Sequence, residues 1–416
     1  MVMLKTMEFH PKTLRTPRQT IVALESRQEL VKICSREGCS LLIVTDDQLV
    51  SLPLIQEIIE SVTAAMDSVS IFSRAKADVP ISDIDEAVEL CQSRNIDVIL
   101  AIGGGTVIDL AKMVGLLLIH GGRPEEYYGE AKVPGPTIPL IAVPTTAGTG
   151  SEVTPVAVIT DPNRALKVGI SSVYLIPTFA VIDPTLILSC PPSVTAHSGT
   201  DALCHAIESF LARSKDLHAS DLVDTIFIGQ NSTTDEYALK AISALAQNLE
   251  KSWRNGADLD ARSEVAQAAM WAGLAFAHGG TGCPHAMQYP IGALTHTPHG
   301  LGVGLLLPYV LTQLKIVCAE RMSQLARAVG LVQGNKSLLE FSEEFILWCE
   351  NLLETIGIPQ SLTEIGINET DLPVIAERTL LVTRLLQNHP GRSDYDTILM
   401  LLTAAWNGDR SLVIPD

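Results

Sequence analysis

A doubly wound α/β domain followed by an all-α domain is the fold that this sequence predicts. Three observations carry the prediction. Short apolar runs alternate with amphipathic stretches over residues 1–185, long helical spacing takes over after Pro184, and 416 residues are too many for one small core.

In the first part, 41–45 and 98–102 read as buried strands, with further strand candidates at 140–143, 156–160 and 180–182. Helical patterns at 83–94 and 106–119 lie between them. Strand, helix, strand in this rhythm implies parallel pairing. In the second part, 186–416, helical spacing dominates at 201–212, 235–249, 261–276, 305–329 and 338–356. Pro191, Pro192 and Ser193 stand near the switch, as linker and helix-cap chemistry would. There is no internal repeat and no low-complexity segment.

Composition narrows the function classes. With 47% hydrophobic and 18% charged residues the chain buries large cores and is not disordered. A formal net charge of -18, without any basic run, argues against nucleic acid and anionic membrane as partners. Met1 to Lys5 do not read as the start of a signal peptide, so none is expected, and apolar runs break before spanning length, as Pro308 breaks 301–311. The eight cysteines form no C-x-x-C pair, so a cytoplasmic protein with reduced thiols is expected.

The strand at 98–102 runs into Gly103-Gly104-Gly105-Thr106, and then into the helix that holds Asp109 and Lys112. Glycines let a backbone approach a ligand closely, and free N–H groups at a helix start favour a phosphate. The spacing is not G-x-G-x-x-G, so on its own the run reads equally well as a tight turn. A second loop, 143–152, also follows a strand and is dense in hydroxyls, among them Thr145, Thr146 and Thr149. Two such loops at parallel strand ends suggest one crevice. Asp46, just beyond the first strand, suits an adenosine ribose and would repel a 2′-phosphate, favouring NAD over NADP; Asp47 competes, and a solvated turn is the plainer reading.

Asp201 and His205 are four apart, one turn along one helix face. Four of the ten histidines fall at 278, 285, 296 and 299, in a stretch divided by Pro290 and Pro298. Helix-breaking prolines put His285 near one helix end and His299 at the start of another. A lone histidine is usually a hydrogen-bonded core residue, but a cluster beside an Asp/His pair points to a mixed N/O metal site for Fe2+ or Zn2+. An alcohol gives up its proton far above neutral pH, and a Lewis acid at its oxygen removes that obstacle to hydride transfer.

Four segments in order, IGGGTVIDLAK (102–112), VPTTAGTGSEVTP (143–155), SGTDALCHAIES (198–209) and HAMQYPIGALTHTPHG (285–300), resemble the iron-containing (group III) alcohol dehydrogenase family. The resemblance covers nearly the whole chain. It implies a Rossmann-like NAD-binding domain, a helical metal-binding domain and an active site in the cleft between. It implies that Asp201, His205, His285 and His299 hold the metal and that Gly103, Gly104 and Gly105 meet the pyrophosphate. Thr106, Asp109, Thr145, Thr146, Thr149 and Lys167 fall to the cofactor site, and Asp46 to the ribose. A homodimer or higher homo-oligomer is the family expectation.

Some positions depart from the family pattern. Tyr289 stands where many members carry a second histidine, so it either relays protons at a much higher pKa or lines the pocket. His278 replaces a usual Asn, and either it or His296 reads as a pocket or a surface residue; the glycines common near Ala23-Leu24-Glu25 are missing. HAMQYPI and the long segment 213–234 resemble the hydroxyacid–oxoacid transhydrogenase branch, which uses tightly held nicotinamide. The expected reaction is NAD(H)-linked interconversion of a primary alcohol or hydroxyacid and its carbonyl, with transhydrogenation as the alternative. A dehydroquinate synthase-like lyase is disfavoured because no Lys or Arg lies around His285, and a non-catalytic relative because the ligand set is intact.

Overall fold

The structure is a computed structural model that describes residues 12–161, 166–331, 334 and 336–416. The N-terminal domain runs β1 (Gln19–Val22), α1 (Leu30–Glu37), β2 (Ser40–Val44), α2 (Pro53–Thr63), β3 (Ser68–Phe72), α3 (Ile81–Cys91), β4 (Val98–Gly103) and α4 (Gly105–His120). It continues through β5 (Gly129–Glu130), β6 (Leu140–Pro144), β7 (Val156–Asp161), β8 (Leu166–Ser171) and β9 (Phe179–Ile182).

The main sheet has the order β1-β9-β6-β4-β2-β3, with every pair parallel. Its central strands are apolar throughout because helices cover both faces. Leu42, Val44, Ile99, Ala101 and Ala142 pack into one core with residues of α3 and α4. Leu41, Ile43, Leu100, Ile102 and Val143 pack into a second with residues of α1 and α2. Register matters for function: Gly103 pairs with Pro144, so the glycine turn and the threonine loop leave adjacent strands at the same edge. β2 pairs with β4 on the other side, which brings Asp46 to that edge as well.

Residues 156–160 form a strand, but not in the parallel sheet as their position in the alternation suggested. β7 pairs antiparallel with β8, from Val156↔Ser171 to Asp161↔Leu166, in a separate three-stranded sheet. A strand's pattern records which faces are buried, not which neighbour it pairs with. Edge strands β1 and β3 carry polar and partly exposed residues, so they lack the apolar signature.

The C-terminal domain is helical: α5 (Pro192–Leu211), α6 (Ser232–Arg254), α7 (Leu259–Gly279), α8 (Cys283–Thr295), α9 (His299–Leu314), α10 (Ala319–Ala328), α11 (Leu338–Thr355), α12 (Leu372–Leu380), α13 (Thr383–Leu386) and α14 (Tyr395–Asn407). α5 is the buried axis, packed by α6, α7 and α9. The stretch 305–329, read as one helix, is two, because the chain turns after Leu314 and leaves Ile316 and Val317 exposed. Pro290 sits inside α8 without ending it. Among the described residues no helix is long and apolar enough to cross a membrane.

Candidate metal centre

Asp201 and His205 project from one face of α5, His285 stands in the first turn of α8 and His299 is the first residue of α9. The prolines place the last two: Pro284 opens α8, and Pro298 caps α9 in extended conformation. The Nε2 atoms of His205, His285 and His299 lie 3.7, 3.6 and 3.7 Å from Asp201 Oδ1. These separations are too long for hydrogen bonds. They are near the ~3.4 Å edge of a tetrahedron with bonds of about 2.1 Å to a central ion. Asp201 Oδ1 and His285 Nε2 are buried and have no hydrogen-bond partner, which a divalent cation would supply. Asp201, His285 and His299 offer donor atoms that all lie within 4.8 Å of one another, and His205 Nε2 stands beside Asp201 as a fourth donor outside that close group, a set whose chemistry suits Fe2+ or Zn2+.

Asp201 is buried, which would raise its pKa, but the three histidines hold it well below the usual carboxylate range. Burial lowers His205 to about 4 and His299 to about 3, so both stay neutral and able to ligate. Burial would lower His285 too, but Glu208 and Asp201 overcome it and raise that imidazole to about 9. His285 Nδ1–H donates to Glu208 Oε1 at 2.6 Å, and Gly282 N–H donates to Oε2 at 2.6 Å. Glu208 thus fixes the tautomer that aims Nε2 at Asp201. Sequence reasoning missed Glu208 as a functional residue, although Asp201, His205 and Glu208 follow one another at i, i+4 and i+7 on one helical face.

A groove leads from this centre to the sheet edge. Gly105, Thr106, Asp109 and Thr149 line the cavity that contains Asp201, His205, His285 and His299. Thr106 also lines the adjoining cleft, with Asp46, Gly104, Thr145 and Thr146. The two loops touch: a Cβ on Gly105 would lie 2.6 Å from Thr149 Cγ2. No side chain caps the start of α4, so its N–H groups face the cleft free for an anion.

Four expected cofactor residues sit differently from the others. Gly103 packs against Val107, where a Cβ would lie 2.4 Å from that side chain, and lets the helix close on the strand. Asp109 is half-buried and accepts from Ser151 Oγ at 2.5 Å and Val158 N at 2.9 Å, tying the threonine loop to α4. Lys167 stands at the metal end, paired with Asp78 Oδ1 at 2.5 Å. Asp46 caps the next turn, accepting from Gln48 and Leu49 N–H through Oδ1.

Tyr289 is buried in the cavity wall, its ring 6.3 Å from that of His299, and burial raises its pKa. His278 is neither a pocket nor a surface residue. It is buried, accepting Arg15 N–H at Nε2 (2.8 Å) and donating from Nδ1 to the Leu274 carbonyl (3.0 Å). His296 is the exposed left-handed residue that ends α8. Arg384, on α13, lines the cavity beside Tyr289 although no sequence motif marks it.

Comparison with known proteins agrees with this geometry. Residues 17–184 match the model of iron-containing alcohol dehydrogenase, and 195–406 that of the C-terminal part of the Fe-containing alcohol dehydrogenase family. The chain is 34% identical to the NAD-dependent methanol dehydrogenase of Bacillus methanolicus, over 81% of this chain and 84% of that protein. It is 32% identical to long-chain-alcohol dehydrogenase 1 of Geobacillus thermodenitrificans, over 87% of this chain and 88% of that protein. A crystal structure of 1,3-propanediol oxidoreductase superposes with a TM-score of 0.89 at 29% identity, covering 95% of this chain and all of that one. Two family models that together span most of the residues, and relatives above 30% identity over four-fifths of the length, settle the kinship: the chain belongs to the iron-containing alcohol dehydrogenase family.

Proposed function

We propose that this chain catalyses reversible NAD(H)-linked oxidation of an alcohol, with a divalent ion, iron first and zinc second, held by Asp201, His205, His285 and His299. The observation that carries the reading is the convergence of three imidazole Nε2 atoms on one buried, unpartnered carboxylate oxygen. When bound, the ion supplies Lewis acidity at the substrate oxygen and the nicotinamide supplies the hydride acceptor.

The chain's own residues set the geometry. Gly104, Gly105 and the open start of α4 receive the pyrophosphate, and Thr145, Thr146 and Thr149 border the dinucleotide. Phe276, stacked on His205 with ring centroids 4.2 Å apart, forms an apolar wall that excludes water. Tyr289 keeps its hydroxyl proton because burial raises its pKa, so it acts as a hydrogen-bond donor that orients the substrate and not as a base. The named relatives act on methanol, long-chain alcohols and a diol, so kinship leaves the alcohol's size open. They favour the simple dehydrogenase over the transhydrogenase reading. All eight cysteines are free, which supports placing the protein in the cytoplasm, and a homodimer is the family expectation.

The test is elemental analysis of protein purified without added metal, paired with an NADH absorbance screen over short alcohols, diols and 4-hydroxyacids, with and without 2-oxoglutarate. Stoichiometric iron or zinc and alcohol-dependent NADH are expected. Turnover only with the oxoacid present would replace this reading by transhydrogenation, and metal-free protein without turnover would end it. The ribose role of Asp46 has its own test. Asp46→Asn keeps the Oδ1 acceptor of the turn but removes the charge, and is expected to raise the NADP-to-NAD ratio of kcat/KM by about tenfold or more. An unchanged ratio would return Asp46 to a structural cap.

A further inference from the structure

We propose that Arg384 anchors an anionic group on the substrate, so that the preferred substrate is a hydroxyacid, or the matching oxo compound, and not a neutral alcohol. The inference rests on the dehydrogenase reading above and names its substrate class.

Arg384 lines the cavity that holds the metal-site residues and also an adjoining cleft, together with Lys132, Lys167 and Tyr289. Its guanidinium is held in place. It lies over the Phe227 ring, 5.1 Å from the centroid, and Nη2 rests against the β8 backbone at Gly169, 3.0 Å from where a Cβ would stand. It also stands beside the Tyr289 hydroxyl. Of the other charges at this mouth, Lys132 is exposed to solvent and the rest have partners. Lys167 pairs with Asp78, and Glu125 pairs with Arg123 at 3.0 Å. Among the described residues Arg384 has no carboxylate within ion-pair distance, in a chain that carries 47 acidic side chains against 29 basic ones.

A half-buried, immobilised guanidinium without a counter-ion loses hydration that a neutral alcohol cannot replace. A carboxylate replaces it with a planar, two-pronged pair of hydrogen bonds. Tyr289 stands between the metal-site histidines and Arg384, so the anionic group lies several bonds from the reacting carbon. The carboxylate takes no part in the redox step.

Phe227 comes from the long connection between α5 and α6. Ile226 and Phe227 pack on Phe276 and Val156, and Arg15 bonds the carbonyls of Leu222, Val223 and Thr225, holding that connection down. The connection between α5 and α6 thus carries the platform under Arg384.

The test compares kcat/KM for 4-hydroxybutanoate and 1-butanol, with NAD and the metal-loaded enzyme, in wild type, Arg384→Lys and Arg384→Gln. Wild type is expected to prefer the acid, and butanoate to compete with 1-butanol. Arg384→Gln is expected to lower the acid-to-alcohol ratio on the order of 10- to 100-fold, chiefly through KM for the acid. Arg384→Lys, which keeps the charge but loses the fork, should fall between. A wild-type preference for 1-butanol, or a ratio unmoved in Arg384→Gln, overturns the anchor and leaves the dehydrogenase reading intact. Turnover of neither compound by metal-loaded wild type overturns both. Should Arg384→Gln not fold, failure of butanoate to compete in wild type still overturns the anchor.

Discussion

His285→Ala protein is expected to purify with little bound metal and to lose alcohol-dependent NADH formation by about a thousandfold or more. The substitution removes a donor that lies 3.6 Å from Asp201 Oδ1 and also strips a partner from each of two buried carboxylates, Asp201 and Glu208. Leaving buried charges uncompensated costs about 3–5 kcal/mol, so the thermal midpoint should fall as well. Glu208→Gln is the finer probe. It keeps all four donors and loses only the carboxylate that receives His285 Nδ1–H at 2.6 Å. Metal affinity measured by chelator competition is expected to drop about 10- to 100-fold, with a smaller loss of turnover once metal is saturating. Full metal content and turnover in His285→Ala would sink the assignment of the centre.

The contrast between these two residues shows how far the site was legible in the sequence. Asp201 and His205 belong to one helix, and their spacing alone places them together. His285 and His299 reach them only because α8 and α9 start where prolines dictate and then pack against α5, which no local pattern records. Glu208 lay in the same helical repeat and was readable there. Arg384 was not, since its side chain reaches the cavity from a four-residue helix near the end of the chain. The fold divides similarly. β2, β4 and β6 are buried on both faces and announce themselves as apolar runs, whereas the antiparallel pairing of β7 with β8 follows from a hairpin contact, not from composition. The histidine cluster was half informative. His285 and His299 enter the centre, while His278 is satisfied by Arg15 and Leu274 and His296 ends a helix.

Gly300→Ala is expected to do nearly as much damage as removing a ligand, although residue 300 touches neither metal nor substrate. α9 meets α5 almost backbone to backbone. A Cβ at Gly300 would lie 2.0 Å from the His197 carbonyl oxygen and 2.9 Å from Asp201 Cβ. One turn on, a Cβ at Gly304 would lie 2.3 Å from Thr200 Cγ2. A carbonyl inside a helix cannot step aside alone, so the new methyl must push α9 away from α5 and carry His299 with it. Overpacking of this kind costs typically 1–3 kcal/mol and sometimes more. Here the displaced element also bears a donor that must stay 3.7 Å from Asp201 Oδ1. The measurements are metal content, thermal midpoint and turnover of Gly300→Ala, all expected to fall. Gly304→Ala offers the control for cause. Its clash is with a side-chain methyl, so adding Thr200→Ser should restore metal binding, whereas no side-chain change relieves Gly300→Ala. If Gly300→Ala retains metal and melts like wild type, helix spacing does not set the distance between Asp201 and His299, and the loop from 296 to 298 must set it instead.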